Sequence, residues 1–237
     1  MPDLAPAMHG LSLRPEIPHS DTKAAAAPEP VMTDAQPARK PSRIQQKNRK
    51  RILEAALDVF SHHGYRGATL DQIAAQAGLS KPNILYYFSG KEEIHITLLN
   101  QLMETWLAPL REIDPEGDPR EEILHYVRNK LEMSRQYPRE SRLFANEILQ
   151  GAPRMRPHLE RGLKPLVDST AVLIERWIAQ GKLPPVDPRH LIFSIWATTQ
   201  HYADFQAQIQ VLMQDRPHRD GAADFLDMLF RRLLTPH

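Results

Sequence analysis

Gly78 separates two short apolar-periodic stretches in "TLDQIAAQAGLSKPNILYYF", residues 69–88, and no other feature restricts the fold as tightly. Thr69, with Gln72 three residues on, is a capping box that opens a helix. Ile73, Ala74 and Ala77 supply the inner face of that helix. Gly78 ends it, because the chain turns that tightly only through a residue that tolerates positive φ. Ser80 caps the next helix, and Pro82 is harmless in a first turn whose amides lack partners anyway. Ile84 and Phe88 lie one turn apart and face inward, which leaves Pro82 with Tyr86, and Asn83 with Tyr87, on other faces. The stretch predicts two helices crossing at a sharp angle.

The rest of the chain repeats the helical period. Ile52, Leu53, Ala56, Val59 and Phe60 predict a helix that begins near Ile44 and stops at Gly64. Ser89 with Glu92 reads as a capping box for a long helix striped by Ile94, Leu98, Leu99, Leu102, Met103, Trp106, Leu107 and Leu110. Asp118 and Pro119 open a helix that Pro138 ends; "SRLFANEIL" is a short one; Gly181 stops "LKPLVDSTAVLIERWIAQ". Asp187-Pro188 caps "RHLIFSIWATTQHYADFQAQIQVLM" as one helix, and "AADFLDMLFRRLL" is the last. No strand pattern survives, so the fold class is all-α with about nine helices. Residues 1–42, rich in Pro and Ala with a basic end, form a tail expected to be disordered. A head at 43–91 and a larger domain at 92–237 follow.

Charge is unevenly placed. The net charge is +1, yet no acid stands between Asp34 and Glu54, where Arg39, Lys40, Arg43, Lys47, Arg49, Lys50 and Arg51 cluster. Subtracting those seven leaves 1 − 7 = −6 for everything else. A basic segment on an otherwise acidic chain suits a polyanion at one end. Cysteine is absent, which excludes a disulfide scaffold, a thiolate nucleophile and cysteine-ligated zinc, and suits a reducing cytoplasm. The sequence shows no signal peptide and no apolar run long enough to span a membrane.

A helix, a glycine turn and a short second helix form a helix-turn-helix, whose second helix enters the major groove. The same spacing also fits an αα-corner in an ordinary bundle; the adjoining basic cluster favours the first reading. On it, Lys81 donates to guanine or phosphate and Asn83 reads adenine. Tyr86 and Tyr87 offer hydroxyls to phosphates. Thr69 aims helix-terminal amides at a phosphate, and Arg43 and Arg49 add counterion-releasing contacts.

The same stretch resembles the DNA-binding segment of the TetR family of bacterial repressors. The matching positions are Thr69, Ile73-Ala74, Ala77-Gly78-Leu79-Ser80, Ile84, Tyr87-Phe88 and Lys91. The family's usual Tyr after the Leu position is Leu85 here, and Tyr86 beside it is placed to supply that phosphate contact. The resemblance implies a DNA-contact set that includes Ser80, Pro82 and Lys91. It also implies a homodimer on a near-palindromic operator and a C-terminal domain that binds a small molecule and moves the two heads apart. "ETWLAPLREI", "SRLFANEILQGAP" and "LPPVDPRHLIFSIWATTQHYADFQAQI" resemble the pyrimidine-utilisation regulators within that family, which implies uracil or thymine as effector.

The residues permit this. Trp196 and Gln200 stand four apart on one helix, so stacking and edge-reading of a flat heterocycle can come from one face, with Trp106 and Phe144 closing the other. As plain core residues they need no ligand. The nearly all-apolar "LIFSIWA" is expected to be buried on more than one side. The final helix, with Phe225, Leu226, Met228, Leu229, Phe230, Leu233 and Leu234, carries more apolar surface than one small domain uses, as a dimer interface would.

An enzyme is the reading from another class. A single E-x-x-H (Glu122, His125) and an isolated His201/Asp204 pair make no metal site, and phosphate-loop, dinucleotide and nucleophile-elbow motifs are absent from the sequence. Two further readings stay open: a regulator of this type with a different effector, and a nucleoid-associated dimer without one.

Overall fold

The computed structural model describes residues 42–214 and 218–235. Of the tail expected over 1–42, all but Ser42 lies outside them. Ser42 begins the first helix: its Oγ accepts from the Gln45 amide while Gln45 returns the bond to the Ser42 amide, a capping box that the sequence reading passed over.

Three helices build the head. α1 runs Arg43–Gly67 and breaks at Gly64, whose φ of 66° puts the stop where "SHHG" predicts it. α2 (Leu70–Ala77) opens on the Thr69–Gln72 capping box, and α3 (Lys81–Tyr87) opens on Ser80. Between them Gly78 has φ 58°, and a Cβ there would stand 2.5 Å from Arg51 Nη2. Glycine is thus required twice, by the turn and by an arginine of α1 laid over it.

The remaining elements are α4 (Lys91–Arg111), α5 (Pro119–Gln136), α6 (Pro138–Leu149), α7 (Arg156–His158), a π-helical turn (Leu159–Leu163) that runs into α8 (Lys164–Ala179), α9 (Pro188–Asp204), α10 (Gln206–Leu212) and α11 (His218–Leu233). All nine expected helices are present, and no strand occurs among the described residues.

Among the described residues two apolar clusters fill the interior. The first joins Ile52, Phe60, Ile73, Ile84 and Phe88 of the head to Ile94, Leu99 and Leu143, so it runs unbroken across position 91. The second packs Leu124, Val127, Ile174, Trp177, Leu191, Ile195, Leu226 and Phe230. Truncating a fully buried ring such as Phe60 or Trp177 to Ala costs about 3–5 kcal/mol, more than any single cap contributes, so packing fixes how the helices assemble.

Local expectations are corrected in three places. α4 is capped by Gly90, not Ser89, and Glu93 rather than Glu92 accepts from the Ser89 amide, because α4 starts one residue later than read. The long helix after Asp187 breaks at Phe205. The segment after the break, α10, buries none of its residues, and Phe205, Val211 and Leu212 are exposed. "LIFSIWA" buries Leu191, Ile192 and Ile195 on one face, while Phe193 is about half exposed. α11 likewise buries Leu226, Phe230 and Leu234 and turns Phe225, Met228, Leu229 and Leu233 outward.

Candidate functional site

The head's polar side chains divide into those that face solvent and those that hold the head together. Arg43, Thr69, Ser80, Lys81, Pro82, Asn83 and Tyr86 are exposed. Contacts draw them to one side. Gln45 Nε2 donates to Tyr86 Oη at 3.1 Å, which joins the start of α1 to α3. Lys81 Nζ donates to Asp71 Oδ2 at 3.0 Å, which joins α3 to the first turn of α2 beside Thr69.

Arg49, Tyr87 and Lys91 are only partly exposed and are bonded within the head. Arg49 donates to the Tyr87 carbonyl and lies 4.1 Å over the Phe88 ring, bracing the back of α3. Tyr87 Oη accepts from Asn48 Nδ2 at 3.0 Å. Lys91 Nζ donates to the carbonyls of Tyr65 (2.8 Å) and Ala68 (2.7 Å), satisfying acceptors left open past the break in α1. The sequence showed these residue types but not which way they point. Gln45, Asn48 and Asp71, which place the exposed set, are bonded to residues 10 to 41 positions away, so short-range spacing carries no signal for them.

A second polar cluster is buried where α4, α5, α6 and α9 meet. Trp106 and Phe144 pack edge to face with centroids 5.6 Å apart. Above the Trp106 ring, at 4.4 Å, stands the ammonium of Lys130, which is only 3 % exposed. Burial lowers the Lys130 pKa to about 8, with Asp204 acting against that shift. Burial raises the Asp204 pKa, partly offset by the Ser141 hydroxyl that donates to its carboxylate. The indole N–H of Trp106 is buried with no hydrogen-bond partner.

One turn before Lys130, Tyr126 Oη accepts from Trp196 Nε1 at 2.7 Å. Burial pushes the Tyr126 phenol up, so it stays protonated and keeps a donor of its own. Trp196 and Gln200 are both half-buried on α9, and Gln200 sits one turn from Trp196 and one turn from Asp204. The structure therefore brings Trp106 and Phe144 into contact and bonds Trp196 to Tyr126, one helical turn before Lys130 on α5. Trp196 also borders a surface cavity of about 430 Å³ lined by Leu163, Val167 and Phe193.

Sequence reasoning missed Tyr126, Lys130 and Ser141, and weighed Asp204 only as a metal ligand beside His201. One signal was available: Lys130 occupies the buried stripe of α5 with Ile123, Val127 and Ser134, where a solvated lysine does not belong. Glu122 and His125 have local partners, the Asp114 amide and Asn129, and the described residues contain no group of His, Asp and Glu able to hold a metal ion. No helix among the described residues is long and apolar enough to cross a membrane.

Comparison with known proteins assigns both regions. A family model described as bacterial regulatory proteins of the tetR family matches residues 52–96, and one described as the C-terminal region of YcdC-like proteins matches residues 99–237. The chain is 50% identical over 173 residues to the HTH-type transcriptional regulator RutR of Escherichia coli K12, covering 73% of this chain and 82% of that protein. SrpR of Pseudomonas putida is 44% identical over 57 residues, 24% of this chain and 27% of that protein. Among solved structures, a transcriptional regulator of Streptomyces coelicolor superimposes with a TM-score of 0.66 at 23% identity, over 80% of this chain and 99% of that one. AibR, solved with isovaleryl coenzyme A and operator DNA, gives 0.62 at 21% identity, over 80% of this chain and 100% of its own. At these identities the two structures establish the shared fold.

Proposed function

Because this chain belongs to the TetR family of bacterial regulatory proteins, we propose that it is a homodimeric repressor of pyrimidine-utilisation genes that leaves a near-palindromic operator on binding uracil or thymine. It is a transcriptional regulator and not an enzyme. Its place of action is the cytoplasm.

One observation carries the effector reading: the inner cluster buries an indole N–H without a partner beside a buried lysine ammonium. The Trp106 N–H lacks a partner, and the Lys130 ammonium faces an aromatic ring. Buried donors left open cost about 1–3 kcal/mol each, which a ligand with carbonyl oxygens recovers. Uracil presents two carbonyls and two N–H groups on a flat ring. Lys130 and Trp106 suit the carbonyls, Gln200 and Asp204 suit the N–H edge, and Phe144 supplies an apolar wall. About eight heavy atoms at a ceiling of about −1.5 kcal/mol each allow roughly −12 kcal/mol, so affinity is no obstacle.

The exposed side of the head supplies the DNA half. Lys81, Asn83 and Tyr86 project from α3, and the basic start of α1 adjoins them through the Gln45–Tyr86 bond. The outward apolar face of α11, which no described residue covers, suits the subunit contact. Release then requires a difference in affinity: an effector that favours the wrong head spacing by about 1–3 kcal/mol loosens the operator about 5–150-fold.

Fluorescence anisotropy on DNA from upstream of the protein's own gene, titrated with uracil and thymine at fixed salt, tests this. Release by either supports the reading. DNA binding unmoved by millimolar pyrimidine leaves a regulator with a different effector. Equal affinity for random DNA leaves the nucleoid-associated dimer.

A further inference from the structure

α6 is tied to the head at both ends and to the inner cluster in its middle. In its first turn the Arg139 guanidinium reaches back to α1, donating from Nη2 to Glu54 Oε1 at 2.7 Å and from Nη1 to Asp58 Oδ1. Asp58 also accepts from Gln76 Nε2 at 3.3 Å, so one carboxylate joins α1, α2 and α6. At the far end, Glu147 accepts from the Arg154 amide at 2.7 Å and pairs with its guanidinium at 3.3 Å. Arg154 in turn reaches Glu92 at 3.5 Å and lies 3.5 Å over the Tyr65 ring. Between the two ties, Ser141 binds Asp204 and Phe144 packs on Trp106.

α6 has little apolar anchorage beyond Leu143 and the half-buried Phe144. Its buried residues are Ser141, Leu143 and Glu147, two of the three polar. A cleft of about 500 Å³, lined by Leu53, Leu57, Leu98, Leu102 and Leu143, opens between α6, α1 and α4. A helix held by ion pairs beside open space can shift as a unit more easily than one locked in a close-packed core.

The geometry points to Arg139 as a positioning residue, an ionic latch that holds the head in its DNA-binding orientation until an effector displaces α6 at Ser141 and Phe144. This rests on the reading that the inner cluster takes the effector. Glu54 and Asp58 are the latch's receivers. Their charge is negative, so a role in attracting DNA would run opposite to the role assigned here.

The test is operator and uracil affinity, each measured separately on the full-length protein at fixed salt. Arg139→Gln should weaken operator binding about 3–10-fold and tighten uracil binding, since both follow one shifted equilibrium. Arg139→Lys should fall between. Glu54→Gln with Asp58→Asn should also weaken the operator, although it removes negative charge from a DNA-binding protein. Combining it with Arg139→Gln should add less than about twofold, as partners in one contact do. The latch is overturned if operator affinity stays within twofold of the parent, if the carboxylate variant binds DNA more tightly, or if both ligands weaken together. A parent protein that binds operator and ignores uracil refutes the effector reading, and the operator arm still judges the latch.

Discussion

Two lysine–aspartate pairs show how differently the two ends of this molecule work. Lys81 and Asp71 meet at 3.0 Å in open solvent, 47% and 72% exposed. Lys130 is buried over a tryptophan ring, its pKa lowered to about 8 by burial against the attraction of the half-buried Asp204. The outer pair contributes at most about 1 kcal/mol to stability and is free to exchange partners for phosphate. The inner charges are costly to maintain, and on the proposed reading a ligand that satisfies them offsets that cost. A surface that reads DNA needs polar groups that are cheap to redirect; a site that senses a small molecule needs polar groups that are poor in partners.

The comparison breaks most directly at Lys130. Lys130→Met should weaken uracil binding more than about 100-fold while leaving operator binding in place, by calorimetry and anisotropy respectively. In the parent, uracil affinity should fall as pH rises through about 8, where Lys130 loses its proton, and the variant should lack that inflection. Equal uracil binding by parent and variant would remove Lys130 from the site.

His95 extends the contrast to stability. It is buried between Phe60 and Tyr65, and burial, with Arg154 and Lys91 nearby, lowers its pKa from 6.5 to about 4. The unfolded chain therefore takes up the proton first. Stability should be level with respect to this group above pH 6.5 and decline as pH falls to about 4, by up to about 3 kcal/mol. Urea unfolding of the parent and of His95→Phe at neutral pH and at pH 4.5 measures the share due to His95, and equal losses in both would assign the acid sensitivity elsewhere.

Gly78→Ala should cost about 1–2 kcal/mol from the positive φ alone, with further loss because the new Cβ meets Arg51. Operator affinity should fall and uracil affinity should hold, which separates the head from the inner cluster. The smallest effect belongs to the outer pair. Lys81→Met should lower the slope of log affinity against log salt by about 1 and leave the unfolding midpoint almost unmoved. A large stability loss there would mean that the exposed pair is structural after all.

The head was legible because its signals are short-range. A cap reads three residues ahead, a glycine turn closes within four, and an apolar stripe repeats every turn, so Thr69–Gln72, Gly78 and Ser80 gave α2, the turn and α3 from spacing alone. The same logic misplaced the start of α4, where Ser89 with Glu92 fits the pattern but the backbone chose Glu93. Trp106, Phe144, Trp196 and Gln200 were legible as candidates, and their partners were not, since Trp196 bonds Tyr126, seventy positions away.

The sequence by itself determined the all-α class, the helix-turn-helix and the two kinds of surface, because those depend on neighbours within a turn or two. Only the tertiary structure decided which polar residues act outward. Arg49, Tyr87 and Lys91 are partly buried and bonded within the head, while Lys81, Asn83 and Tyr86 stayed exposed. It also decided that Lys130, Asp204 and Ser141 share one site. Burial and long-range contact are properties of the packed chain, and a side chain's chemistry follows from them as much as from its identity.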